Sequence, residues 1–141
     1  VLQTIWGHFI TAGGPVGVET VGELLAWHDP AEVYEAIARL DEKDLILVRE
    51  GHVMLAYPFA GAPTAFTVVL PDGRERYAVC AIDALGIPAM LGQPVAIRSH
   101  CYHCQEPLEL HVRPDGPVGP SEVMVWVGDR NELRDKAFSS L

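Results

Sequence analysis

The chain has 141 residues, of which 49% are apolar and 21% charged, and its formal net charge is −9. This composition excludes a disordered chain and predicts one ordinary domain or two very small ones. No stretch approaches the about 18 consecutive apolar residues of a transmembrane helix, so we expect no membrane partner. The acidic charge argues against a nucleic-acid partner, because a negative field repels phosphate groups.

The cysteine content indicates a reducing compartment. Only three cysteines occur, at positions 80, 101 and 104. An odd number cannot all pair within one chain, so we expect no disulfide framework. The N-terminal stretch has neither a basic region nor a small-residue cleavage site, so we expect no signal peptide. These features predict a cytoplasmic protein with reduced thiols.

Residues 1–57 carry three helical patterns followed by a hairpin pattern. The stretches VLQTIWGHFITAGG and VETVGELLAWHD have apolar residues at helical spacing. In DPAEVYEAIARLDEK, Asp29 can cap the third helix and Pro30 suits its first position. The stretch LILVREGHVMLAY predicts two short strands around a turn at Glu50-Gly51. Three helices and a hairpin predict a winged-helix-like region, a variant of the helix-turn-helix.

The third predicted helix does not suit a DNA-binding role. A recognition helix needs exposed basic or amide groups that reach phosphates and base edges. We therefore expect a structural module used for packing, and a DNA-binding repressor is the less favoured alternative. The helix and the residues just after it carry the acidic side chains Glu32, Glu35, Asp41, Glu42 and Asp44 against the basic Arg39 and Lys43.

Residues 58–141 mix strand and helix patterns. AFTVVLPDGRERYAV predicts a hairpin with a turn at 71–73, and the pattern becomes helical from Tyr77 until Pro88 disturbs it. PVAIRSHC, PLELHVRP and SEVMVWVG predict strands, and DRNELRDKAFSSL predicts the start of a charged helix. The predicted fold class is α+β, with a winged-helix-like region at 1–57 and a mixed or antiparallel sheet core with helices at 58–141.

One thiol and one carboxyl group occur close together in the stretch RYAVCAIDALGIPAML. Cys80 precedes Asp83 by three residues, and positions i and i+3 of a helix lie on one face. We therefore expect both side chains to face a common pocket, where a soft thiolate binds metal and an acid moves a proton. The alternative is a buried cysteine beside a capping aspartate. The predicted apolar face of this helix contains Val79, Ile82 and Leu85.

The stretch SHCYHCQEPL contains a Cys-x-x-Cys pair, Cys101 and Cys104. Such a pair resembles half of a zinc ribbon, but structural zinc needs four ligands and the chain has no second pair of this kind. Cys80 would then be the third zinc ligand and a histidine the fourth. The alternatives are a reducible cysteine pair and a tight turn that carries two thiols. The predicted metal ligands are therefore Cys80, Cys101 and Cys104.

The run RYAVCAIDALGIPAMLGQPVAIRSHC, from Arg76 to Cys101, resembles a sequence block of the organomercurial (alkylmercury) lyases. That block has an aromatic residue, Cys-Ala-x-Asp, Leu, Pro-Ala, Gly and, further along, Ser-x-Cys. Members of the family also carry an N-terminal helical, winged-helix-like region before a mixed β core, and the pattern of residues 1–57 is similar.

The resemblance implies an enzyme that breaks the carbon–mercury bond by protonolysis and requires no cofactor. It implies that the Cys80 thiolate captures mercury and that Asp83 takes up thiol protons and passes one to the leaving carbon. Mercury(II) then stays bound as product until thiols or a mercury reductase accept it. Cys101 matches a family cysteine with a mainly structural role, and Cys104 has no counterpart in the block.

The chain departs from the family at the second catalytic cysteine. The matching place is AFSSL, where Ser139 follows a phenylalanine, and Ser140 is the alternative register. Serine is a harder and less acidic ligand and cannot supply a second thiolate. The chain is then a diverged homologue without lyase activity, a chain altered or shortened at the site, or a homologue that recruits Cys104. The alternative function is a non-catalytic metal-binding or regulatory module that uses Cys101 and Cys104.

Overall fold

The computed structural model describes residues 1–119 and 122–125. The chain divides into two compact units, Val1–Ala62 and Pro63–Leu141. The predicted boundary at 57/58 lies close to this division, and the winged-helix-like character of the first part stays a prediction. None of the helices in the described part of the chain has the length and apolar character that crossing a bilayer requires.

The first unit contains helices α1 (Leu2–Thr11), α2 (Val18–Leu25) and α3 (Pro30–Glu42), close to the predicted positions. The predicted cap of α3 is confirmed, since Asp29 Oδ1 accepts a hydrogen bond from the backbone N–H of Ala31 at 2.9 Å. This bond satisfies one of the free N–H groups at the helix start. The buried side chains of the three helices include Ile5, Phe9, Val18, Val21, Val33 and Ile37.

The same unit contains strands β1 (Val16–Gly17), β2 (Ile46–Arg49), β3 (His52–Ala56) and β4 (Phe59–Ala60). All pairings within the unit are antiparallel, and β3 is the strand that the other three share. The predicted hairpin is confirmed by the β2–β3 register. Its turn residues, Glu50 and Gly51, both have positive φ, at 49° and 73°, as two-residue hairpin turns of the common primed type require.

The second unit is built on strands β5 (Thr67–Val69), β6 (Glu75–Ala78), β7 (Val95–His100), β8 (Pro107–Arg113) and β9 (Gly116–Pro117). Their order is β6-β5-β7-β8-β9, and each neighbouring pair is antiparallel. The predicted turn at 71–73 is confirmed, because Leu70 and Arg74 close it with a backbone hydrogen bond of 2.9 Å. The fold is therefore α+β with antiparallel strands.

Helix α4 (Ala81–Leu91) differs from its prediction at the start and on its apolar face. The expected start at Tyr77 is wrong, because Tyr77 pairs with Thr67 in β6. The expected apolar face is also wrong, because Ile82 is 52% exposed. Pro88 lies inside α4 without ending it, and the helix ends at Leu91, followed by Gly92, whose φ of 65° suits a capping glycine. The helix packs against β6, β7 and β8.

Predictions near the C-terminus are tested only in part. A strand was expected over 121–128, but residues 122–125 form no regular structure. The rest of that strand, the charged helix and Ser139 lie outside the described residues.

The Asp29 cap is expected to contribute to the stability of the first unit. The change Asp29→Ala removes the acceptor for the Ala31 N–H and should lower the free energy of unfolding by about 1 kcal/mol. Asp29→Asn is the matched control, since its amide oxygen still accepts this hydrogen bond. Urea denaturation followed by circular dichroism measures both variants, and equal loss in the two would contradict the capping role.

Candidate functional site

Cys80 lies at the junction of β6 and α4, where it is the N-cap of the helix. Its backbone is extended, with φ −147° and ψ 178°, and its sulfur accepts a hydrogen bond from the backbone N–H of Asp83 at 3.5 Å. Serine, threonine, aspartate and asparagine usually fill this position, so a cysteine here is unusual. The cap fixes the sulfur at the helix start, where backbone N–H groups and the helix dipole favour negative charge.

The Cys80 thiol and the Asp83 carboxylate are in direct contact. The thiol donates a hydrogen bond to Asp83 Oδ2, and the sulfur and oxygen are 3.0 Å apart. Both side chains are half-buried. Further along α4, Ala84 and Ile87 are buried in the core. The two side chains meet as the spacing predicts, although Cys80 is the cap and not a residue of the helix itself.

Burial favours the neutral form of both groups. Burial, followed by the hydrogen bond to Asp83, raises the pKa of the Cys80 thiol from 9.0 to about 11. Burial also raises the pKa of Asp83 from 3.8, although the hydrogen bond from Cys80 acts in the opposite direction. At neutral pH the sulfur therefore keeps its proton, and a carboxylate with increased proton affinity lies next to it. The arrangement can bind a soft cation at sulfur and accept the displaced proton at oxygen.

The other two cysteines lie in the tight turn between β7 and β8. The backbone N–H of Cys101 donates to Glu106 O, and the N–H of Gln105 donates to Cys101 O, both at 2.8 Å. Gln105 adopts a φ of 60° and its side chain donates to Tyr102 O at 3.0 Å. Cys101 is half-buried and Cys104 is exposed, and neither forms a disulfide. These bonds hold the two cysteines on one turn.

The Cys101 thiol has a different environment from that of Cys80. Hydrogen bonds from the backbone N–H of Cys104, then from that of His103, and from the Cys104 thiol hold the pKa of Cys101 below its ordinary value of 9.0. The turn therefore favours a thiolate, whereas the junction at Cys80 favours a thiol.

The expected sharing of one metal by all three cysteines is not supported. Among residues 1–119 and 122–125, no group of three or more histidine, cysteine, aspartate or glutamate side chains is arranged to hold a metal ion. A structural zinc ion needs four ligands, so the structure gives no support for zinc at Cys101 and Cys104. The structure brings together Cys80 with Asp83 and Cys101 with Cys104. The predicted site residue Ser139 lies outside the described part.

Sequence reasoning did not single out Arg98, which joins three strands of the second unit. Its guanidinium lies 3.1 Å from a carboxylate oxygen of Glu75 on β6 and 3.1 Å from one of Glu109 on β8. The signal was present in the sequence pattern, because Arg98 and Glu109 are direct partners in the β7–β8 register. The three side chains are about half exposed, so the ion pairs stabilise the fold only weakly.

Comparisons with known proteins agree on one family. The alkylmercury lyase family model matches residues 59–139. An alkylmercury lyase of Pseudomonas putida is 31% identical over 121 residues, which are 82% of this chain and 53% of the relative. One of Bacillus cereus is 45% identical over 67 residues, which are 46% of this chain and 29% of the relative. The chain thus spans about half or less of the length of these curated relatives.

A solved structure extends the similarity to the fold. The crystal structure of the mercury-bound form of MerB2 superposes with a TM-score of 0.69 at 27% identity, and the match covers 84% of this chain and 57% of that one. The family match includes both half-buried groups at the start of α4 and the cysteine turn between β7 and β8. On this evidence, the chain belongs to the alkylmercury lyase family.

Proposed function

We propose that the chain binds organomercurials through Cys80 and cleaves the carbon–mercury bond with a proton carried by Asp83. The observation that carries this proposal is the 3.0 Å contact between the Cys80 sulfur and Asp83 Oδ2. A soft ligand and a proton carrier at this distance can act on the two ends of one bond. The names of the relatives, all alkylmercury lyases, support the same chemistry.

Capture of the substrate transfers one proton within the pair. An organomercurial R–Hg–X meets the Cys80 thiol, which burial and the contact with Asp83 keep protonated. The sulfur–mercury bond forms, X leaves as an anion, and the thiol proton moves to the Asp83 carboxylate. The raised pKa of Asp83 helps it to hold this proton.

Cleavage returns that proton to carbon. The carbon leaves mercury with the electron pair of the carbon–mercury bond and takes the Asp83 proton, so that the product is R–H. Mercury(II) remains on the Cys80 sulfur, and the Asp83 carboxylate is restored beside it. Proton and ligand both come from the chain, so the steps need no cofactor. Thiols, or a mercury reductase, then accept the mercury(II).

The position of Ser139 bears on the rate of cleavage. Two thiolates polarise the carbon–mercury bond more than one, because each donates electron density to the metal and weakens its bond to carbon. Serine oxygen is a harder donor and holds its proton more tightly. We therefore propose that binding through Cys80 persists while cleavage is slow. We expect substrates with different organic groups to show the same combination of binding through Cys80 and slow cleavage.

The first unit is proposed to be a winged-helix-like module without a nucleic-acid partner. The sequence of α1, α2 and α3 followed by the β2–β3 hairpin supports the module. The acidic residues of α3 argue against phosphate contacts, because like charges repel at the distances of such contacts.

The pKa of Cys80 can be tested by alkylation with iodoacetamide and peptide mass mapping. With a pKa of about 11, roughly one Cys80 in a thousand is a thiolate at pH 8. The alkylation rate of Cys80 should therefore still rise between pH 9 and pH 10, because only the thiolate reacts. The alkylation rate of Cys101, whose pKa is lowered, should reach its plateau at a lower pH than that of Cys80. Asp83→Asn removes a carboxylate that favours the thiol form and should speed the alkylation of Cys80 at pH 8. An unchanged or slower rate in this variant would contradict the proposed electrostatic coupling.

The roles of the pair can be separated by substitution. Cys80→Ser keeps an N-cap oxygen but removes the thiol, and it should abolish hydrocarbon release and the capture of phenylmercury at position 80. Asp83→Asn should still capture phenylmercury but release benzene about 10²–10⁴-fold more slowly. Gas chromatography of the headspace measures benzene release, and peptide mass mapping of the adduct shows whether position 80 carries the phenylmercury. The control Glu23→Gln changes an exposed carboxylate of the first unit and should behave as the wild type. Brisk cleavage by Cys80→Ser would refute the proposal.

The role of position 139 predicts a gain of function. Ser139→Cys supplies a second thiol and should raise benzene release by about tenfold or more, which corresponds to a barrier lower by about 1.4 kcal/mol. Ser140→Cys is the matched control for the register. Equal benzene release by Ser139→Cys and the wild type, with a gain in Ser140→Cys, would move the assignment by one residue, and no gain in either would refute it.

A further inference from the structure

The turn between β7 and β8 presents two thiols that the proposed cleavage does not use. Cys104 is exposed and Cys101 half-exposed, so a ligand from solvent can reach both. Tyr102, between them, is 98% exposed and covers neither sulfur in the way a packed aromatic ring would. Cleavage as proposed above involves only Cys80, Asp83 and position 139. The two thiols of the turn are therefore available for another task.

The backbone holds this pair ready for a ligand. The β7–β8 ladder closes at the pair His100 and Pro107, and the two backbone hydrogen bonds of 2.8 Å around Cys101 complete the turn. The hydrogen bond from the Gln105 N–H to Cys101 O brings the residue that follows Cys104 back to Cys101, so both cysteines lie on one closed turn. Little conformational freedom is lost when both sulfurs bind one ion, and the second sulfur binds within the same molecule.

We propose that Cys101 and Cys104 form a second soft-metal site, which binds one mercury(II) ion as a bis-thiolate at the β7–β8 turn. The proposal rests on the proposed function only in that mercury(II) is the product of cleavage. Mercury(II) is satisfied by two thiolates, whereas zinc requires four ligands that the described residues do not bring together here. Two thiols on a turn thus favour a two-coordinate soft ion over zinc.

The loading of this site is a ligand exchange without oxidation or reduction. A mercury(II) ion held by two small thiolates, Hg(SR)2, exchanges both of them for the protein. Two sulfur–mercury bonds form at Cys101 and Cys104 and two break. The two protons of the cysteine thiols leave with the released molecules of RSH. Charge and atoms therefore balance, and a free thiol in excess reverses the exchange.

The test uses the full chain with Cys80→Ser, so that only the two thiols of the turn remain. Reduced protein is mixed with one equivalent of HgCl2 and a several-fold excess of β-mercaptoethanol, kept below the about millimolar effective concentration of two linked thiols. After gel filtration, native mass spectrometry should show one mercury that has replaced two protons and carries no β-mercaptoethanol. In the further variant with Cys104→Ser, bound mercury should fall about tenfold or more, and any adduct should retain one β-mercaptoethanol.

Controls separate this site from other sources of bound mercury. Adding His103→Ala to Cys80→Ser should leave the retained mercury unchanged, because two thiolates satisfy mercury(II) without an imidazole ligand. Far-ultraviolet circular dichroism checks that each variant is folded. The proposal would be overturned if the protein with only Cys80→Ser failed to retain mercury after gel filtration. It would also be overturned if the variant with both Cys80→Ser and Cys104→Ser carried mercury without β-mercaptoethanol. Benzene release from phenylmercury by the wild type is scored separately, so failure of the cleavage assay with mercury retained at the turn would refute the proposed function alone.

Discussion

The hydrogen bonds around the Cys80 sulfur govern both the local fold and the chemistry of the second unit. The sulfur accepts a hydrogen bond from the Asp83 N–H at the start of α4, and the thiol donates a hydrogen bond to the Asp83 carboxylate. Cys80 therefore lies between the end of β6 and the first residue of α4, and its hydrogen bonds also affect the protonation of its own thiol and of Asp83. A side chain that caps a helix has few rotamers left, so the position of the sulfur is fixed relative to α4.

The two thiol environments of the second unit differ in a way that suits successive tasks. Cys80 is half-buried beside a carboxylate, and burial followed by the hydrogen bond to Asp83 raises its pKa, so the thiol keeps its proton at neutral pH. Cys101 lies on a turn among N–H donors, so its pKa is lowered and it favours the thiolate. Protonolysis consumes a proton at carbon, whereas holding mercury(II) requires the loss of thiol protons. The same residue type thus serves opposite requirements because its surroundings differ.

Local signals in the sequence predicted the features that depend on a few neighbouring residues. The Asp29 cap and the hairpin turn at Glu50-Gly51 are of this kind, and both are found. The start of α4 was misplaced because Tyr77 has helical spacing but gains more from pairing with Thr67, which is distant in sequence. Spacing also brought Cys80 and Asp83 together correctly but did not reveal that the sulfur is the cap.

Coordination limits what the pair at the start of α4 can do alone. In the proposed reaction, mercury(II) is left with one thiolate from Cys80 and the carboxylate of Asp83, which is a hard and weak partner for a soft ion. An ion bound this way exchanges readily with any thiolate that reaches it. The position of Ser139 would leave this weakness in place, since oxygen does not replace sulfur. A chain with one sulfur at the reacting centre therefore gains from a pair of thiols elsewhere, because release of the product from the Cys80 sulfur then requires only ligand exchange.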